Sequence, residues 1–175
     1  MTRHATPMDL VYRAVDPLDA GGDCFRLILH LVGDRGRWPR TGFSKRLAER
    51  WPVVRREFRE WARGSTGSDT SCALGRYQIS APAETTAVVS MAVLTGRSWT
   101  CQPLDVPAFS AVLAQMGPYG REMQATAIIG RFDPGPSTSW TDVVTMLRDS
   151  LVHQGVPVIV CAAARPPTTK NMPVS

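Results

Sequence analysis

The residues best suited to chemistry lie in two short segments. One reads GDRGRWPRTGF, Gly33 to Phe43, and sets Gly33, Gly36 and Gly42 among Asp34, Arg35, Arg37 and Arg40. Glycine lets backbone approach a ligand closely, and the free N–H groups of a helix start favour anions. Arginine offers planar donors to phosphate oxygens. A phosphorylated ligand suits this combination, and so does a plain solvated basic turn. The other segment reads IGRFDPGPSTSW, Ile129 to Trp140, with Asp133 as its one carboxylate. Such a group can orient or deprotonate a water. An Asp between Phe and Pro is also an ordinary turn former, and the residues alone leave both roles open.

To be useful, each segment must leave a strand and enter a helix. Phe25–Val32 is nearly all apolar, as a buried strand is, and Leu10–Val15 reads as a strand before it. Phe43, Leu47, Trp51, Val54, Phe58 and Trp61 then recur at helical spacing, which places six large apolar groups on one face. Pro52 interrupts the run. Proline suits the first position of a helix, so one helix is expected to end near Arg50 and another to begin at Pro52.

Further along, Leu74–Ser80 and Thr86–Leu94 read as strands, and a helix is expected from Asp105, its cap, to about Met116. Thr126–Ile129 lies in a strand. Ser139 caps a last helix, with Asp142 three residues on in an acidic variant of the capping box, and Val156–Cys161 closes as an apolar strand. Strands alternating with helices predict an α/β fold: a mixed, largely parallel sheet with helices on both faces. Ligands of open sheets bind beyond the carboxyl ends of strands. The segments after Val32, Leu94 and Ile129 are therefore the places to search.

With 175 residues, 43% hydrophobic and 20% charged, the chain fits one domain with a real core. The expected organisation is a disordered stretch over 1–8, a domain over 9–163 and a flexible tail over 164–175. Gly64 to Cys72 reads as a surface loop. No apolar run reaches the roughly 20 residues that span a bilayer. The first residues lack the apolar segment of a secretory signal, so no membrane partner and a cytoplasmic location are expected. Cys24, Cys72, Cys101 and Cys161 form no CxxC pair, and His4, His30 and His153 are scattered. The pattern calls for no metal and no cofactor; free, mostly buried thiols are the reading.

The net charge of +5 is concentrated. Residues 35–63 hold ten lysines and arginines against three acidic residues, a local charge of +7, and the remainder is slightly acidic. A local basic patch favours an anionic partner, either a nucleic acid or a phosphorylated small molecule.

The order of elements, with LHLVGDRGRWPRTGFSKRLAERWP and IIGRFDPGPSTSW followed by a closing helix and strand, resembles the macro domain over about Leu10 to Cys161. The likeness is greatest to the branch containing glycohydrolases that remove ADP-ribose from acidic side chains or DNA bases. The resemblance implies a three-layer fold and an ADP-ribose-like partner or an ADP-ribosylated target. It places Asp16, which follows Val15 where the family has a glycine, against the adenine amino group. Gly33 and Asp34 fall beside the distal ribose. Gly42 and Phe43, in Arg40-Thr41-Gly42-Phe43, fall in the glycine-rich loop against diphosphate and ribose. Gly130, Arg131 and Phe132 fall in the second phosphate loop. There Arg131 would pair with phosphate, and Phe132, in place of a glycine, would narrow the loop or stack on a ribose. Asp133 falls close to a catalytic Asp of this branch. Ser90 to Thr95 has no lysine where some members carry a nucleophilic one.

Beside this reading stand a hydrolase acting on a free NAD-derived metabolite, a nucleic-acid-binding module and a scaffold with a degraded pocket. The nucleic-acid reading uses the basic segment 35–63, in which Trp51 and Trp61 belong to the apolar face and Trp38 is expected to be the exposed ring.

Overall fold

Alternation along two central strands decides which side of this protein's sheet each residue faces. A computed structural model describes residues 9–64, 72–96 and 102–162. Its elements in chain order are β1 (Leu10–Arg13), β2 (Phe25–Gly33), α1 (Gly42–Arg50), α2 (Pro52–Ala62), β3 (Tyr77–Ala83) and β4 (Thr86–Leu94). There follow α3 (Val106–Glu122), β5 (Ala125–Gly130), α4 (Trp140–Ser150), a 3-10 turn (Val152–Gln154) and β6 (Val158–Cys161). The expected terminal stretches, the closing residue 163 of the expected domain, most of the Gly64–Cys72 loop and Cys101 lie outside the described residues.

The six strands form one sheet in the order β1-β6-β5-β2-β4-β3. Every pairing is parallel except β3 against β4, so the sheet is mixed, as expected. Leu27 and Leu29 of β2 and Ala87, Val89, Met91 and Val93 of β4 face one way, onto Phe109, Val112 and Leu113 of α3 and Val143 and Leu147 of α4. Ile28 and Val32 of β2 and Val88 and Ala92 of β4 face the other way, onto Leu47, Val54 and Phe58 of α1 and α2. Two cores, one on each face, make the three-layer arrangement. β4 is buried over nearly its whole length, which explains why Ser90 is the one polar residue between Ala87 and Leu94.

The helix break at Pro52 falls as the sequence predicts: α1 ends at Arg50, Trp51 lies between, and Pro52 opens α2. Leu47, Val54 and Phe58 of the six-residue stripe are fully buried, and Phe43, Trp51 and Trp61 pack partly buried beside them. Asp105 caps α3 through Ala108 N–H, and Ser139 and Asp142 form the reciprocal capping box of α4.

Four boundaries differ from expectation. β1 stops at Arg13, because the chain turns where Oδ1 of Asp16 accepts the N–H of Leu18 and its carbonyl accepts that of Asp19. β3 begins at Tyr77 and not Leu74, since Gly75 takes φ +81° in a turn closed from Arg76 N–H to Ala73 carbonyl. β6 begins at Val158 and not Val156, after Gly155 ends the 3-10 turn in the left-handed conformation. α3 runs six residues past Met116, through Pro118. Pro118 is exposed, so the amide bond it forgoes lies on the water side of the helix. Gly117 brings α3 against the carbonyl of Ser150, and Gly120 brings it against Val156. These two close contacts hold the last turn.

Candidate ligand-binding crevice

Parallel pairing brings the carboxyl ends of β1, β6, β5, β2 and β4 to one edge of the sheet. The chain leaves β2 toward β3 and β4 on one side and leaves β5 toward β6 on the other. β2 and β5 are neighbours, with Leu29 level with Ile129. Connections that diverge from adjacent parallel strands mark the usual position of a ligand crevice in such sheets. The Gly33–Thr41 segment and the Arg131–Ser139 segment leave these two strands and run into α1 and α4.

The two helix starts are not equivalent. In the capping box of α4 the Ser139 hydroxyl accepts the N–H of Asp142 and the Asp142 carboxylate accepts that of Ser139. Thr41, at the cap position of α1, makes no side-chain cap bond, and the first turn of α1 holds no acidic residue. The N–H groups at Gly42 and Phe43 thus have no capping oxygen from Thr41, and an anion suits such a helix start. Gly42 takes φ +60°, a conformation L side chains rarely adopt, and the space where a Cβ would stand is open.

Asp16 lies beyond the end of β1, half-buried. Its Oδ2 accepts from Arg46 Nε at 2.7 Å and its Oδ1 from Leu18 N–H at 2.9 Å. A carboxylate has about four lone-pair sites, so two remain. Gly130 ends β5 with Pro17 opposite, and Arg131 extends the ladder by donating its N–H to the carbonyl of Cys161 at 2.8 Å. Asp16, Pro17, Gly130, Arg131 and Cys161 thus meet on the β1/β6/β5 side. Burial first, and the charge of Asp16 second, push the Cys161 thiol up to about 11.

Arg131 is exposed, with its guanidinium 5.4 Å from the centre of the Trp140 ring. Phe132 is partly buried against the α3/α4 core, edge-on to Phe109 and Trp140 at 6.4 and 5.6 Å. Trp140, which sequence reasoning did not single out, also donates its indole N–H to the Tyr12 hydroxyl at 3.0 Å. Asp133 is exposed, and its Oδ1 accepts the N–H of Gly135 at 2.9 Å. Leu104 N–H donates to the Pro134 carbonyl, which ties this loop to the chain after β4. On the β2 side, Gly33 faces the side-chain amide of Gln102, and Asp34 N–H donates to the Leu94 carbonyl at 3.3 Å.

Trp38 is not the exposed ring that was expected. It is 6% exposed, packs on His30 at 4.8 Å and on Phe58 at 5.3 Å, and donates its indole N–H to the Ser44 carbonyl at 3.1 Å. Beneath it lies a polar group the sequence reading missed. His30 of β2 bonds Ser90 of β4 through Nδ1 at 3.1 Å and Ser44 of α1 through Nε2 at 2.8 Å. Burial pushes the imidazole down to about 3, so it is neutral at physiological pH. The sequence signal was there, as single polar residues inside two apolar strands. The result is a Gly33–Thr41 segment anchored to sheet and helix.

Among the described residues no cluster of His, Cys, Asp and Glu could hold a metal, and no helix is long and apolar enough to cross a membrane.

No family model and no curated protein sequence matches the chain. Solved structures do. A macrodomain protein from Streptomyces coelicolor superposes with TM-score 0.76 at 23% identity, covering 89% of this chain and 99% of that one. A Bacteroides thetaiotaomicron protein of unknown function gives 0.77 at 19% identity, covering 90% and 99%. Thermosipho africanus DarTG, solved in complex with ADP-ribose, gives 0.53 at 16% identity, covering 84% of this chain and 39% of that one. The three-layer fold is thus that of macrodomain proteins.

Proposed function

We propose that this chain is a macro-type domain that binds ADP-ribose or a closely related NAD-derived nucleotide diphosphate in the β2/β5 crevice. The observation that carries the reading is the start of α1 at Gly42, which has no side-chain cap and follows β2 at the point where the connections of two adjacent parallel strands diverge. The likeness of fold to a protein solved with ADP-ribose supports it. In this reading Gly42, Phe43, Gly130 and Arg131 hold the diphosphate. Asp16 accepts an N–H of the adenine amino group on one of its two remaining lone-pair sites. Gly33 and Asp34 flank the distal ribose, and Phe132 backs the second loop from the core side.

Hydrolysis of an ADP-ribosyl conjugate is the catalytic form of this proposal. One oxygen of Asp133 holds its own loop through Gly135, and the other has no described partner and can orient or deprotonate a water at the anomeric carbon. A free NAD-derived metabolite fits the same groups. With no lysine between Ser90 and Thr95, a lysine adduct has no candidate there.

Calorimetric titration with ADP-ribose tests the binding reading. Micromolar affinity is expected. No heat and no thermal shift at millimolar ligand would sink it. For hydrolysis, release of ADP-ribose from conjugates on acidic side chains and on DNA is compared between the wild type and Asp133→Ala. A loss on the order of a hundredfold or more is expected with binding retained. Equal turnover removes Asp133 from the chemistry.

A further inference from the structure

Five arginines line a cleft of about 840 Å³ that reaches Thr41, at the cap position of α1 on the β2 side of the crevice, and shares no residue with the β1/β6/β5 side. Arg35, Arg37 and Arg40 come from the segment after β2, and Arg59 and Arg63 come from the last turn of α2 and the residue after it. Gly36, at φ +65°, makes the junction, because a side chain there would meet Ala62 Cβ at 3.0 Å. Trp38, clamped on His30 and Phe58, forms the floor. The arginines are thus carried by a fixed loop and a helix end, with a concavity between them.

Among the described residues no ion pair reaches any of the five. Arg46 and Arg50 of α1 pair with Asp16 and Asp19 at 2.7 and 3.0 Å. Gathering like charges costs stability, and a bound polyanion relieves that cost. One phosphate would neutralise only part of this charge. The volume lies in the range of small-molecule sites and admits several phosphoryl groups. The guanidinium fork matches phosphate oxygens bidentately. Among the described residues the only aromatic lining residue is Trp38, which is 6% exposed, so it offers little face for base stacking and the recognition falls on phosphates.

We propose that this cleft, which adjoins the nucleotide crevice at Thr41, is a second anion site for clustered phosphoryl groups, drawn from a free oligophosphate or from a nucleic-acid backbone. The proposal does not depend on ADP-ribose binding.

Inorganic tripolyphosphate and a short single-stranded DNA are titrated calorimetrically into the wild type and into Arg37→Gln/Arg59→Gln/Arg63→Gln. All three side chains are exposed and have no described carboxylate partner, so an unchanged or raised melting temperature is expected of the variant. Tripolyphosphate should bind the wild type and weaken at least roughly tenfold in the variant. If DNA also binds, the log–log salt slope should be about −3.5, falling to about −1.4 in the variant. That result assigns the site to a nucleic-acid backbone, and binding of tripolyphosphate alone assigns it to a compact oligophosphate. Perturbation of arginine Nε–Hε resonances by tripolyphosphate in the wild type reads the same contact without a substitution. Failure of both probes to bind, or equal binding to the variant, overturns the proposal. Weakened ADP-ribose binding in the variant also overturns it, by making the cleft part of the crevice.

Discussion

Arg46 of α1 donates its Nε–H to Oδ2 of Asp16 at 2.7 Å, tying the turn after β1 to the first helix. The pair is partly exposed, so its own contribution to stability is small. Its effect is to orient the carboxylate proposed to receive adenine. Asp16→Asn keeps one oxygen for Leu18 N–H and removes the charge. ADP-ribose affinity is expected to fall roughly tenfold or more, with little change in melting temperature. Calorimetry and a thermal melt on one preparation separate the two effects. Unchanged affinity would place the adenine elsewhere.

His30 makes stability depend on pH. In the unfolded chain it takes up a proton below about 6.5, while in the fold it resists protonation down to about 3. The unfolded state therefore binds more protons across that window. The contribution is full above 6.5 and is lost as pH falls toward 3, at up to about 1.4 kcal/mol per pH unit. Melts from neutral to acid pH should show this slope, and it should flatten in His30→Gln. NMR of the imidazole should show no titration between pH 7 and 5. A titration midpoint near 6.5 would contradict the buried neutral ring.

The described cysteines should differ in reactivity. Burial pushes Cys72 and Cys161 up to about 11, while Cys24 is exposed. Thiolate is the reactive form. At neutral pH, alkylation followed by peptide mass mapping should label Cys24 well before the other two. Equal labelling of Cys161 would mean that the end of β6 opens to solvent.

Gly117 and Gly42 should fail for opposite reasons when changed to alanine. At Gly117 a Cβ collides with the Ser150 carbonyl, which is backbone, so α3 and α4 must separate. A loss of about 1–3 kcal/mol is expected. At Gly42 the Cβ meets nothing within 4 Å, and only its positive φ is penalised, by about 1–2 kcal/mol. Denaturant titration gives both losses. Only Gly42→Ala should also weaken ADP-ribose binding, because it alone alters the helix start proposed to face the diphosphate.

The layer arrangement was legible because its signals are local. Pro52 divides a stripe of six apolar residues, and Thr86–Leu94 is an unbroken β-rich run. The misses come from partners distant in sequence. Trp38 stands in a glycine- and arginine-rich loop, off any helical period, and is buried only because His30 and Phe58 arrive from other elements. The Gly117–Gly120 stretch of α3 looks like a stop, but Ser150 and Val156 need the small residues there. For the candidate site, the sequence marked both loops and the excess charge of residues 35–63. It could not show that Arg59 and Arg63 fold back beside Arg35, Arg37 and Arg40.

The clamp on Trp38 also sets where an entropic cost falls. Ordering backbone costs about 1–2 kcal/mol per residue at room temperature. The segment from Gly33 to Thr41 meets that cost as the chain folds, when the indole docks on His30 and its N–H finds Ser44. A ligand at this segment thus meets donors already arrayed, and little of its binding energy goes into ordering them.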